Sequence, residues 1–529
     1  MKVLVADTIT EAALAHLKAQ AGWQIVESNP REFTSHLADA EAMVIRSGVK
    51  ITREVMQQAP RLRLIGRAGV GVDNVDLEAA TELGILVMNT PGGNSVAVAE
   101  HAMALMLALA RAVPQANASV HAGRWEKKKF VGNELRGKTL GVVGLGSIGR
   151  EVVLRARAFE MRILACDPYI PAQRASDLHA EMADLSTVLA SSDYLSLHLA
   201  LTEETEGLLS REVFAKMKPG VRIINCARGE LIDTAALAEA IAEGRVAGAA
   251  LDVFPQEPPP AGDPLLRLDN VIATPHIGGS TEEAQETVGL RIVEQVVEYL
   301  RNGVAINAVN MPALSPEQYR ALGPWASLAE RLGSFAAHIA TGHPQLVRLS
   351  YLGKIAGANT NLIRNAGLAG VLNRSLSQKA NLVNSMQIAS QRGLRIDERH
   401  DERASHTDSV RLELVTNVGT TSVEGALLLG RPRLLEVEGI RCEAALSGNI
   451  TFMKNKDVPG VIGHVGTVLG RNRINIANFS LGRWDGAPRP DEPLAAVAVV
   501  ETDEEVPEPV LSELRAHPAV MFARTVRLS

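Results

Sequence analysis

The run Leu140-Gly141-Val142-Val143-Gly144-Leu145-Gly146-Ser147-Ile148-Gly149-Arg150 narrows what this chain can fold into more than any other stretch. Leu140 to Val143 is apolar and reads as a buried strand. It enters three glycines spaced G-x-G-x-x-G, and Glu151 to Phe159 has helix-like composition. Strand, tight turn and helix in that order suit a dinucleotide. Gly144 permits the turn, Gly146 lets backbone approach a pyrophosphate at the positive helix end, and Gly149 lets the helix pack closely on the strand. Met161 to Cys166 reads as the next strand, and Asp167 follows 18 residues beyond Gly149. A carboxylate there can accept hydrogen bonds from the ribose hydroxyls of NAD and would repel the 2′-phosphate of NADP.

A chain of 529 residues allows three or four domains of about 150 residues each. Before the glycine turn, short strands (Val3 to Ala6, Ala42 to Ile45, Leu64 to Gly66, Leu86 to Met88) alternate with helix-like segments, as in a parallel sheet covered on both faces. The same alternation runs on from Gly141 to Pro275, and a helix over Glu282 to Arg301 would return to the first sheet. We therefore expect an α/β chain with a discontinuous first domain (1–95 and 282–311) and a nucleotide-binding domain (96–281). A small α/β module (312–446) and a βαββαβ unit (447–529) would follow. The charged run Asp397 to Arg403 reads as an exposed loop.

With a net charge of −6, the chain has no basic excess to neutralise phosphates, so a nucleic-acid partner is not expected. Cys166, Cys226 and Cys442 lie far apart, which implies neither a disulfide framework nor a metal site and fits a reducing cytoplasm. The most apolar helix, Val96 to Val113, is broken by Glu100, His101 and Arg111 and reads as a core helix, so no membrane partner is expected.

Three strand ends in the second domain carry groups with chemistry. They are Cys226-Ala227-Arg228-Gly229, then Asp252-Val253-Phe254 with Glu257, then Pro275-His276-Ile277-Gly278-Gly279. Oxidising an alcohol beside a carboxylate needs a cation to hold the acid and a base to take the hydroxyl proton. Arg228 has the bidentate geometry for the first task, and the imidazole of His276 can accept and return a proton for the second. Glu257 would orient the imidazole and favour its charged form.

Taken together, these motifs resemble the D-isomer-specific 2-hydroxyacid dehydrogenases. Within that family, Gly66-Arg67-Ala68-Gly69, Asn89-Thr90-Pro91 and Trp125 are similar to the branch that oxidises 3-phosphoglycerate to 3-phosphohydroxypyruvate with NAD, opening L-serine synthesis. The resemblance implies a Rossmann-like NAD domain inserted in a flavodoxin-like substrate domain, followed by an intervening allosteric domain and an ACT domain. It implies that Arg228, Glu257 and His276 are catalytic. Gly144, Gly146, Ser147, Ile148, Gly149, Asp167, Cys226, Ala227, Arg228, Asp252, His276, Gly278 and Gly279 would line NAD. Arg46, Ser47, Gly48 and Asn94 would face the substrate, with Arg67 or Lys127 to Lys129 at its phosphate. Asn455, Asp457 and Asn475 match the motif at which L-serine binds between paired ACT domains, and the family favours a homotetramer.

The chain departs from the family pattern at Val70, at Leu199-Ala200 and at Gly279. A hydroxypyruvate or glyoxylate reductase is the alternative enzyme, for which an amino-acid sensor would be superfluous. A nucleotide-sensing corepressor of the same fold is the alternative from another class.

Overall fold

In the computed structural model, which describes all residues except 377–378, 404–406, 486–493 and 529, the apolar runs become strands of four sheets. The first is all parallel, in the order Gln24–Glu27, Lys2–Val5, Ala42–Ile45, Leu64–Arg67, Leu86–Met88. The second is also parallel and has seven strands. Thr139–Val143 lies between Tyr194–Leu197 and Arg162–Cys166, and the order runs outward through Val221–Asn225 and Val246–Leu251 to Val271–Ala273. Both sheets are covered by helices, which is why their inner strands are almost continuously apolar.

Helix Glu282–Asn302 starts at Thr281, whose side chain accepts from the Ala284 amide, and stops at Gly303 with φ 71°. It returns to the first sheet, where Ile292 and Val296 lie so close to Gly66 that a Cβ there would come within 2.8 Å of Val296. Helix Pro316–Ile339 follows, opened by a capping box between Ser315 and Gln318. Its apolar faces are buried against two further sheets. One has six strands, from Arg395–Asp401 and Pro344–Leu352 to Ile440–Ala445, and is antiparallel apart from its first pair. The other is antiparallel, in the order Ile476–Arg483, Ala495–Thr502, Gly448–Lys456, Val520–Leu528. Phe335 of the helix meets Phe452 of this last sheet edge to face, with centroids 5.5 Å apart, and both rings are fully buried.

The charged run read as a loop is instead the edge strand Arg395–Asp401. Its charges are matched by neighbours. Arg348 bridges Asp397 and Glu413 at 2.7 Å each, and Glu398 accepts from the Tyr351 hydroxyl at 2.9 Å and from Arg364 at 3.1 Å. Partners from other strands and from helix Asn361–Leu372 made this segment foldable, and none is adjacent to it in sequence.

Candidate active site

Parallel sheets leave their ligand crevice beyond the carboxyl ends of the strands. The first two sheets face each other there across a cleft of about 630 Å³. The loop Arg67 to Asp73 and the turn at Asn94 line it from one side. The glycine turn, His198, Cys226 to Arg228, Asp252 and His276 to Gly279 line it from the other. A larger cleft, about 1170 Å³, lies between the first sheet and the helices bearing Ser327 and Gly370, but among the described residues no imidazole or thiol lines it. The imidazoles of His198 and His276 line the smaller one.

The three motif glycines do different work. A Cβ on Gly144, which has φ 94°, would lie 2.4 Å from the His198 carbonyl oxygen, and one on Gly149 would lie 2.0 Å from the Gly144 carbonyl oxygen. Those two are packing requirements. At Gly146, the residue capping helix Ser147–Ala158, a Cβ would meet nothing within 4 Å, so open space lies at the helix N-terminus, where a pyrophosphate fits. Asp167 braces the turn, one oxygen accepting from the Leu145 amide at 2.8 Å and the other from Tyr169 at 2.9 Å.

Asp252 is 1 % exposed and pins the loop that carries His276. It accepts from the Thr274 hydroxyl at 2.5 Å and from the amides of Ile277 and Gly278 at 2.9 and 2.8 Å, while His101 Nε2 stands 3.3 Å away. Burial pushes its carboxyl up, but His101, Thr274 and the two amides outweigh that and hold it below the usual range. His276 itself is left-handed, φ 53°. Its Nδ1 is 2.7 Å from Glu257 Oε2, and Glu257 Oε1 accepts from the Phe254 amide at 3.1 Å. A carboxylate partner on Nδ1 makes that nitrogen the donor, which leaves Nε2 as the proton acceptor.

On the same wall, Arg228 reaches across the cleft and donates from Nε and Nη2 to one oxygen of Asp73, at 3.0 and 2.8 Å, and from Nη1 to the Ala227 carbonyl at 2.6 Å. Arg67 lies behind it. Its Nε is buried without a hydrogen-bond partner among the described residues, and burial, then the charge of Arg228, pushes its guanidinium down to about 10. Two neighbouring cations of which one lacks a carboxylate make this end of the cleft a receptor for an anion.

The family can now be set beside the geometry. The model for the D-isomer specific 2-hydroxyacid dehydrogenase NAD binding domain matches residues 103–278, and that for the D-3-phosphoglycerate dehydrogenase intervening domain matches 321–438. The chain is 42% identical to the D-3-phosphoglycerate dehydrogenase of Archaeoglobus fulgidus and 36% identical to that of Bacillus subtilis. Both alignments cover all of this chain and at least 99% of the relative. The chain belongs to the D-isomer-specific 2-hydroxyacid dehydrogenases.

Among solved structures, the TT0316 protein of Thermus thermophilus is 37% identical over 58% of this dehydrogenase and all of its own chain, with a TM-score of 0.53. D-lactate dehydrogenase of Aquifex aeolicus, solved with NAD and lactic acid, is 29% identical over 59% of this chain and all of its own, with a TM-score of 0.52. The dehydrogenase thus carries the family's NAD-binding domain.

Of the residues expected at its substrate, Asn94 lines the cleft, with a buried Oδ1 that has no partner among the described residues. Arg46, Ser47 and Gly48 do not line it. Arg46 donates to the Thr8 carbonyl at 3.3 Å, and the Gly48 amide to Asp7 at 3.0 Å. Lys127 to Lys129 are exposed and also stand outside the lining. Gly144 and Asp167 brace the turn from behind, while Ser147, Ile148, Cys226, Ala227, Gly278 and Gly279 line the cleft. Burial pushes the Cys226 thiol up, so it stays a neutral wall.

The effector trio does not converge within one chain. Asn455 and Asp457 lie at the end of strand Gly448–Lys456, with Asp457 3.4 Å from Arg483. Asn475 donates to Asp503 at 2.8 Å, and the Asp503 carbonyl accepts from Asn449 at the strand's other end. Six residues of strand place the two groups roughly 20 Å apart.

Sequence reasoning missed Asp73, His101 and His198. Nothing in the sequence ties Asp73 to Arg228, 155 residues away. The partners of His101, Thr274 and Asp252, are likewise remote along the chain.

Proposed function

We propose that the dehydrogenase oxidises 3-phospho-D-glycerate to 3-phosphohydroxypyruvate with NAD, the first step of L-serine synthesis. The observation that carries this reading is the meeting, in one cleft, of the His276–Glu257 pair with Arg228 on the same wall and Arg67 on the other, in a chain similar from end to end to proteins named D-3-phosphoglycerate dehydrogenase.

Arg228 holds the substrate carboxylate through paired N–H donors. Arg67, beside Arg228 and with the charge of Arg46 added to its field, draws the substrate's phosphate. Asn94 offers its unpartnered Oδ1 to a substrate donor. Nε2 of His276 takes the C2 hydroxyl proton as the C2–H bond breaks toward the cofactor, and Glu257 stabilises the resulting imidazolium through Nδ1. Gly146 to Gly149 receive the pyrophosphate, Asp167 the ribose, and Asp252 keeps the His276 loop in register. NAD, when bound, supplies the hydride acceptor. The proton on His276 then leaves to solvent.

L-serine is the proposed effector, bound where Asn455 and Asp457 of one copy meet Asn475 of another. The working assembly is a homotetramer. Exposed Trp125, Val131, Val113 and Val120, close together along the chain, are apolar surface suited to covering by a second copy. Three free cysteines fit the cytoplasm.

A substrate panel tests the reading. NADH formation should be strong with 3-phosphoglycerate and weak with glycerate, whereas preferential reduction of glyoxylate or hydroxypyruvate would favour the reductase alternative. No turnover of any of them would point to the corepressor.

A further inference from the structure

Apart from buried Asp252, Asp73 is the acidic side chain among the described residues that line the cleft, and it belongs to the opposite wall from the arginine it holds. It follows strand Leu64–Arg67 of the first sheet, while Arg228 follows Val221–Asn225 of the second. One carboxylate oxygen takes Nε at 3.0 Å and Nη2 at 2.8 Å, the side edge of the guanidinium. The Ala227 carbonyl takes Nη1. A guanidinium has five N–H donors, so the end-on pair, one each on Nη1 and Nη2, is left for a carboxylate. The loop backbone is pressed against the same group, since a Cβ on Gly71 would fall 2.1 Å from Nη2 and 2.8 Å from the Asp73 oxygen.

Stability is a poor reason for this pair. The Asp73 side chain is 59% exposed, and ion pairs so open to water contribute little to folding. Direction is a better one. Arg228 reaches into a space that also holds the charge of Arg67, and repulsion between two guanidiniums would turn an untethered one aside. We propose that Asp73 is a positioning residue, fixing Arg228 so that its end-on donor pair faces the carboxylate of the 2-hydroxy acid. This rests on Arg228 as the carboxylate anchor.

The test uses the full-length enzyme and the 2-hydroxy acid of the panel that it turns over fastest. Asp73→Ala should raise KM for that acid by about 10-fold or more, the scale of one hydrogen bond to a charged group. The fall in kcat should be smaller, and NAD affinity and melting temperature should not move. Asp73→Asn keeps an acceptor oxygen in place and should recover most of the loss. An unchanged KM in Asp73→Ala overturns the proposal. So does a parallel fall in NAD affinity, which would mark a general clamp on the cleft, or an Asn variant as impaired as the Ala variant. Arg228→Gln run alongside separates the levels. If it is crippled while Asp73→Ala is native, only this inference fails, and if it turns over normally the anchor reading fails and takes this one with it.

Discussion

His276 and His198 end strands or strand loops on the same wall of the same cleft, and burial divides their work. His276 is half exposed, with a carboxylate on Nδ1, and is placed to exchange a proton. Replacing it with Ala should lower kcat by about 10²- to 10⁴-fold, the usual worth of a positioned base, with NAD affinity kept, as checked by initial rates and cofactor titration. His198 is only partly exposed. Its Nε2 is 2.8 Å from the Ser196 hydroxyl, and burial pushes the imidazole down to about 4. In the folded chain it therefore stays neutral where the unfolded chain, titrating near 6.5, takes up a proton. A depressed folded value means that its contribution is complete above the unfolded value and is lost as pH falls toward the folded one. Between pH 7 and pH 5 that loss amounts to about 2 kcal/mol. Urea unfolding should show His198→Gln losing less stability than the native chain over this interval, and parallel losses would contradict the assignment.

Among the elements, helix Pro316–Ile339 connects most. Leu328 and Leu332 pack toward Gly425 of the six-stranded sheet, and Phe335 meets Phe452 of the four-stranded one. A single hydrophobic cluster runs from the first sheet through helices Glu282–Asn302 and Pro316–Ile339 into both later sheets. Phe335→Ala would leave a cavity between helix and sheet and should cost about 3–5 kcal/mol. Hydrogen exchange should report the loss in strand Gly448–Lys456, while activity at the distant cleft persists. Unaltered protection in that strand would show that the contact does not hold the sheet. The sequence is helix-like over Pro324 to Ala340 and shows neither the start at Ser315 nor the two partners. The edge strand Arg395–Asp401 was missed for a related reason, because its charges read as solvated until Arg348, Tyr351 and Arg364 are placed beside them.

On the scale of the whole molecule, the roughly 20 Å between the Asp457 and Asn475 ends of one strand makes the proposed serine site a property of an assembly. Asp457→Ala and Asn475→Ala enzymes should each lose inhibition by L-serine. Co-expressed, they should regain part of it, because a two-fold pair of mixed copies has one site with both side chains intact. Mixed enzyme as insensitive as its parents would mean that the residues do not share a site. The sequence alone determined much of the local structure: where most strands and helices lie, which turn takes a pyrophosphate, and that Arg228, Glu257 and His276 have the chemistry for a dehydrogenase. Those features depend on residues near one another along the chain, and their order survives as motif and periodicity. Only the tertiary structure decided that Asp73 holds Arg228, that His101 and Thr274 support Asp252, that Arg46 to Gly48 stand back from the cleft, and that the serine motif is split. Each of those joins residues brought together by the packing of whole sheets, and charge pairing across such distances leaves no pattern in a single sequence.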